Sequence, residues 1–274
     1  MRFGTLENIG LSALTHVFNE AFADYELNLQ FTEEGLSNKI NVEDINLSAS
    51  VAAFENEVPV GFILFGLDNI NNRIVAWDGG TGVIPACRGR KLTRKMFDYA
   101  LPRLQQSGVE KILLEVLKNN KGAYSIYEQI GFKTSRELYA YKGIVKSGTQ
   151  PYRVEIMKNN GEGLLNLADW QPAWQQMSKR VNNHGDAVTV YCIKERNNIV
   201  AYACANSSTG RILQFAVAKE HRQRGMATAL FNEISKGREL TIINVDAGDT
   251  GTNTFLQSIG MKIFNSQYEM EMAI

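Results

Sequence analysis

Residues 82–132 read GVIPACRGRKLTRKMFDYALPRLQQSGVEKILLEVLKNNKGAYSIYEQIGF, and the section from Val83 to Phe132 decides the fold. The run up to Val83 is a strand that ends at Pro85. RGRKLT makes a short basic turn that opens a helix, with Leu92, Met96, Ala100 and Leu104 at i+4 spacing. Gly108 stops that helix. Ile112, Leu113, Leu114 and Val116 form a nearly continuous apolar run, as in a strand covered on both faces. A second helix follows Asn119 and Asn120, carries Tyr127 and ends at Gly131. The first helix of this β-α-β-α unit begins beside Arg88 and Arg90. Its unpaired backbone N–H groups and dipole suit a phosphate. The stretch reads as a site for a phosphorylated molecule with a phenol close by.

Those residues carry a resemblance. The stretch is similar to the acetyl-CoA-binding core of the GNAT acyltransferases. In that family an R/Q-x-x-G-x-G/A turn wraps the CoA pyrophosphate, and N-x-x-A-x-x-x-Y-x-x-x-G-F follows one strand later. The second motif is complete in Asn120, Ala123, Tyr127, Gly131 and Phe132. The first keeps Arg88 and Gly89, but Lys91 stands at the central glycine and Thr93 at the final small residue. The resemblance implies acetyl-CoA as cosubstrate, held by Val83, Arg88, Gly89, Arg90, Lys91, Leu92, Thr93 and Asn120. It implies Tyr127 as the group that serves the leaving thiolate.

The balance of charge is even, with Lys plus Arg and Asp plus Glu at 29 each. No global field favours nucleic acid or an anionic membrane. Cys87, Cys192 and Cys204 are scattered without pair spacing and, with three histidines, give no metal-site pattern. The first residues lack a charged-then-apolar leader, and no apolar run approaches about 18 residues. The expectation is a cytoplasmic enzyme without a metal. Its partner is a small-molecule or peptide amine, nucleic acid and membrane are excluded, and a homodimer is left open.

Outward from the core stretch, residues 2–8 read as a strand, Leu11–Ala23 and Glu33–Lys39 as helices, and Ser48–Glu55, Val58–Leu67 and Arg73–Val83 as strands. Glu137–Lys142 supplies a last strand. Gly143–Gln150, with KSGTQP, is the best linker in the chain. The order then begins again. Tyr152–Met157 is a strand, Leu164–Val181 holds helical material, and Ala187–Lys194, Asn198–Ala205 and Arg211–Ala218 are strands. Leu240–Val245 is the next buried strand and Thr252–Gly260 the next helix. Arg222, Gln223, Arg224, Gly225, Met226 and Ala227 match R-x-x-G-x-A without fault after the Arg211–Ala218 strand, and the resemblance implies that they and Val217 hold a second CoA. An internal repeat of this kind predicts an α/β (α+β) fold of two GNAT-like domains, each a mixed, mostly antiparallel splayed sheet flanked by helices. The expected divisions are residues 1–143, a linker at 144–150, and 151–274. The halves depart from the pattern in complementary places, since Leu256 stands where the first half has Tyr127 and Asp249 where it has Asn120.

Acyl transfer to an amine requires the carbonyl polarised, the ammonium deprotonated and the thiolate protonated. By the resemblance, the N–H of Val83 serves the first need and Tyr127 the last. Tyr127 also fits as a core aromatic on its helix. Arg88 and Arg90 fit a solvated turn as well as a phosphate site. Lys91 either occupies a backbone position that needs no positive φ or marks an altered phosphate turn. For the base the candidates are Asp78, in VAWDGGTGV, and Glu115, in LLEVL. Glu115 is a carboxylate within an apolar run, and it also fits as a partner of Lys118. Asp24, Tyr25 and Glu26 follow the first helix, where the resemblance places the acceptor's entry, and they fit a capped, solvated loop as well as an amine site. The function expected is acetyl transfer from acetyl-CoA to a primary amine, catalysed in the first half. Catalysis in the second half, and a CoA-binding module without turnover, stay open as alternatives.

Overall fold

The computed structural model describes residues 1–27, 29–146, 148, 151–157, 164–168 and 170–274, with the backbone alone at 165 and 166. Two units emerge, one of Met1–Ser135 with Tyr268–Ile274 and the other of Arg136–Gln267. These are not the contiguous halves read from the sequence. A strand expected to close the first half belongs from Arg136 onward to the second unit, and the last seven residues, 268–274, belong to the first. Of the expected linker, residues 147, 149 and 150 lie outside the described residues.

In the first unit, β1 (Arg2–Thr5), β2 (Val51–Glu55), β3 (Val58–Ile70), β4 (Arg73–Val83) and β5 (Val109–Leu117) lie side by side in that order. The first four are antiparallel, and β4 and β5 are parallel. Residues from Tyr268 of β12 (Lys262–Ala273) flank β5, and the Ile274 N–H donates to the Glu110 carbonyl at 3.0 Å. Alternation along β3 sorts the two faces. Ile63 and Phe65 join a core with Met96 and Phe97 of α3 (Leu92–Gln106), Tyr127 of α4 (Lys121–Ile130), and Met270. Phe62 points the other way and stacks on Phe18 of α1 (Leu11–Ala21), ring centroids 5.2 Å apart. The helix α2 (Glu33–Val42) packs beside α1 and is capped by Thr32, whose hydroxyl accepts from the Gly35 N–H at 3.0 Å.

The second unit repeats the plan. Its strand order is β6 (Lys133–Ile144), β11 (Glu239–Asp246), β10 (Arg211–Val217), β9 (Asn198–Asn206), β8 (Thr189–Glu195) and β7 (Glu155–Met157). The pair β10–β11 is parallel and the others are antiparallel. On one face lie α6 (Met226–Ser235) and α7 (Thr250–Ser258), packed through Leu230, Phe231 and Leu256. The other face is covered by Leu164 and by Val181 of α5 (Ser178–Asn183). Cys87, Cys192 and Cys204 are buried and free.

Candidate active site

The parallel pair of the first unit is paired for a short distance only. Its ladder runs from Ile74–Val109 to Trp77–Leu113 and then stops, although β4 continues to Val83 and β5 to Leu117. At the same point β4 carries a bulge against β3, where Leu64 faces Gly80 and Phe65 faces Asp78. Gly79 is the extra residue. A Cβ there would stand 2.5 Å from Ile45 Cδ1 and 3.0 Å from Trp77 Cζ3, so a larger residue would have to push those side chains aside. The extra residue bends β4 away from β5 and opens a fork.

Below the fork lies the turn Arg88–Lys91. Gly89 has φ +77° and Lys91 has φ +57°, and no side chain caps the α3 N-terminus that follows. Lys91 therefore holds the left-handed conformation that a glycine would adopt freely, at a cost of roughly 1–2 kcal/mol. Of the two sequence readings, the one in which this position needs no positive φ does not hold. The second unit builds the same turn with the glycine displaced. There Gln223 has φ +59° and Gly225 has φ +85°, before an equally uncapped α6. In both turns the arginine is tied to its own strand. Arg88 Nε donates to the Val83 carbonyl at 3.2 Å, and Arg222 Nε to the Val217 carbonyl at 3.0 Å. Arg88 also grips Asp24 through two bonds of 2.5 and 2.7 Å and donates to the Ala21 carbonyl. That guanidinium holds the Asp24 carboxyl below its usual range. Arg88 thus joins the loop after α1 to the turn, and the anion-binding donors left over are main-chain N–H groups.

A cavity of about 790 Å³ runs from this turn to the fork. Val83, Arg88, Gly89, Lys91, Leu92, Thr93, Asn120 and Tyr127 all line it, as do Asp24, Tyr25 and Glu26. Asn120 also caps α4, accepting from the Ala123 N–H at 3.1 Å, and Glu26 bonds to Asn119. Arg90 stands off the lining and bonds Glu55 at 3.1 Å. Glu115 is half-buried on β5, alternate to the core residues Leu114 and Val116, and does not line the cavity. Tyr127 is a core aromatic that also lines the cavity. Its ring packs edge-on against Phe97 and Phe132, centroids 6.2 and 5.8 Å away, and the residue still reaches the cavity wall.

Asp78 is buried behind that wall. One carboxylate oxygen accepts from the Gly80 N–H at 2.9 Å and the other from the Thr81 hydroxyl at 2.5 Å. Burial pushes its carboxyl up to about 6, against the opposing pull of these bonds and of Lys39. The Tyr127 phenol is pushed well above its usual range, first by burial and then by the charge of Asp78, against the opposing pull of the Thr81 hydroxyl. Thr81 lines the cavity and was not singled out in the sequence, where D-G-G-T carries no periodic signal.

The second unit has its own fork and its own bulge, between Ile212 and Gln214. Its cavity, about 370 Å³, is lined by Val217, Arg222, Gln223, Gly225, Met226 and Ala227, but not by Arg224. The fork itself is filled. Gln176 is buried there, with its carbonyl bonded to Gln214 and its amide oxygen accepting from Asn244 at 3.0 Å. A small cavity of about 10 Å³ lies beside it, lined by Gln176, Leu213, Gln214 and Asn244 among the described residues. Leu256, fully buried, takes the place of the phenol. Among the described residues, no group of three or more His, Cys, Asp or Glu is placed to hold a metal, and no helix is long and apolar enough to cross a membrane.

A forked parallel pair, bulged at the fork and closed below by an uncapped helix N-terminus, defines an acyltransferase fold. The chain belongs to the acetyltransferase (GNAT) family, whose model matches residues 12–132 and 162–254. Among curated relatives, N-alpha-acetyltransferase MAK3 of Arabidopsis thaliana is 31% identical over 75 residues, covering 27% of this chain and 38% of that protein. N-alpha-acetyltransferase 30 of Saccharomyces cerevisiae is 27% identical over 85 residues, covering 31% and 48%. The matches thus span less than half of either relative. A putative acetyltransferase from Pyrococcus horikoshii superposes with TM-score 0.72 at 14% identity, covering 100% of this chain and 88% of that one. A tandem GNAT protein from the clavulanic acid biosynthesis pathway does so with TM-score 0.72 at 11% identity, covering 99% and 98%. These two likenesses concern the fold.

Proposed function

We propose that the chain transfers an acetyl group from acetyl-CoA to a primary amine, with catalysis in the first unit. The observation that carries this reading is one continuous cavity, in which the uncapped α3 N-terminus and Tyr127 share a wall. The main-chain N–H groups of residues 89–94 would cradle the pyrophosphate. Val83, at the end of the splayed strand, is placed to offer its N–H to a thioester carbonyl. Acetyl-CoA supplies the activated acyl group, and Tyr127 moves a proton between its oxygen and the sulfur. The names of the curated relatives make a peptide N-terminus the first acceptor to try. Tyr25, Glu26 and Asn119, which line the cavity, would meet it. The filled fork and Leu256 support a non-catalytic role for the second unit, with its turn kept for CoA or as scaffold.

The test is titration of the full chain with acetyl-CoA, followed by a structure of the complex and a screen of peptides differing at the first residue. Density for CoA in the second unit alone would overturn the placement. Acetyl-CoA protecting neither turn would overturn the activity.

The paired turns make a sharper prediction. A Cβ at Gly89 meets nothing within 4 Å, and Gln223 already adopts the equivalent conformation. Gly89→Gln is therefore expected to fold normally, destabilised by about 1–2 kcal/mol at most. Lys91→Gly relieves the same strain yet removes an ammonium beside the cradle. It should melt no lower than the parent and bind acetyl-CoA about 2–5-fold more weakly, the worth of one exposed charge. Unchanged affinity in calorimetry would take Lys91 out of the site.

A further inference from the structure

We infer that Thr81 is a proton relay, linking Tyr127 at the cavity wall to Asp78 behind it, so that the buried carboxylate serves as base without touching the substrate. This rests on the function just proposed. The geometry begins at Asp78, which the cavity does not reach and whose two oxygens are occupied by the Gly80 N–H and the Thr81 hydroxyl. A threonine hydroxyl has one proton. Given to Asp78, it leaves the oxygen of Thr81 as an acceptor, and the phenol of Tyr127, which lines the same cavity as Thr81, is the donor the relay uses. The chain of bonds then runs from Tyr127 through Thr81 to Asp78, and Tyr127 presents a lone pair to the cavity.

The second unit provides an internal comparison. Counted from the bulge, and equally from the bond that ties Arg88 to Val83 and Arg222 to Val217, Asp78 corresponds to Ile212 and Thr81 to Phe215. Counted from the residue that caps the next helix, Tyr127 corresponds to Leu256. All three polar groups are absent together from the unit whose fork is filled, and their replacements sit in one apolar cluster. Three residues that act as one device are lost as one.

The proton balance closes. The acceptor's ammonium gives a proton to the Tyr127 oxygen while Tyr127 passes its own to Thr81, and Thr81 passes its own to the Asp78 carboxylate. The freed amine forms the N–C bond, and the C–S bond breaks with its electron pair on sulfur. The three groups then return the stored proton from Asp78 to that sulfur. The second ammonium proton goes to water, so Asp78 ends ionised and one proton is released per transfer.

The groups facing Asp78 are Lys39 of α2, itself paired with Glu43 at 2.5 Å, Thr81 on its own strand, and Tyr127 of α4, with Tyr25 beyond it. The base works only when ionised, so kcat should rise with pH through about 6, where burial places Asp78. The experiment compares Thr81→Val and Thr81→Ser in the full chain. Valine keeps the shape and removes the relay, and kcat is expected to fall about tenfold to a hundredfold, with KM for acetyl-CoA unchanged and the limb near pH 6 gone. Serine keeps the hydroxyl and should restore both rate and limb. Wild-type kcat and pH profile in Thr81→Val, or equal impairment in Thr81→Ser, would overturn the relay. A second readout needs no substrate. In the unliganded protein, the Asp78 carboxyl followed by infrared or NMR titration should move upward in Thr81→Val and shift in Tyr127→Phe. If neither variant moves it, the three groups are not coupled, whatever the activity. A parent protein that acetylates no amine would sink the proposed function while this titration still decided the relay.

Discussion

Tyr127→Phe is expected to lower kcat about a hundredfold, the lower end of general acid–base catalysis, with acetyl-CoA affinity unchanged. The ring is what packs against Phe97 and Phe132, and phenylalanine keeps it, so fold and cavity should persist. What is lost is the phenol oxygen that the proposed relay sets between the cavity and Thr81. That oxygen matters most as the C–S bond breaks, so the loss falls on kcat and not on ground-state binding. Tyr127→Ala is the contrasting variant. It opens a cavity in the core of the first unit and should cost about 3–5 kcal/mol, confounding chemistry with stability. A Phe variant with parental kcat, under conditions where chemistry limits the rate, would remove Tyr127 from the mechanism and with it the case for catalysis in the first unit.

Truncation after Gln267 should abolish acetyl-CoA binding by the first unit, more than a hundred residues away in sequence. Residues 268–274 are part of that unit. Met270 is fully buried in the same cluster as Met96, Phe97 and Tyr127. Lys111 pairs with Glu271 at 2.8 Å, and the Ser135 hydroxyl donates to the Glu269 carbonyl at 3.0 Å. Removing the segment strips one edge of β5, the strand that forms half of the fork, and unseats α4, whose Tyr124 ring lies 5.3 Å from that of Tyr268. A milder variant gives the scale, since Met270→Ala should destabilise by about 2–5 kcal/mol and lower the melting temperature with it. A truncated chain that melts and binds like the parent would show that the first unit stands without its seventh-from-last residue onward. For the same reason, fragments cut at residues 143 or 151 are poor tests of either unit, because each lacks a strand of its own sheet.

Local order was legible in the sequence because it is written in local terms. The strand–turn–helix–strand–helix order, Asn120 as the residue before α4, and the repeat after residue 151 all follow from apolar spacing, Gly and Pro punctuation, and two short motifs. The left-handed turn was half legible, since Gly89 and Gly225 each announce it once. Their partners Lys91 and Gln223 hide it, being residues that adopt positive φ only when the surrounding structure imposes it. Arg90, Arg224 and Glu115 show the limit of motif reading. Spacing gave them a place near the site, and the direction of each side chain put them off the cavity walls.

Tertiary structure alone decided three things. It decided which sheet each last strand joins, because 136–144 and 268–274 carry similar alternating patterns and pairing is chosen by edges far away in sequence. It decided that Gln176 fills the second fork, a contact across 38 residues to Gln214. And it decided that Asp78 bonds Thr81 and stands off the cavity lining, beside the bulge that the extra residue Gly79 makes. The sequence fixes which segments become strands and helices through interactions a few residues long. Their partners are set by packing free energies summed over residues that the chain brings together only when folded.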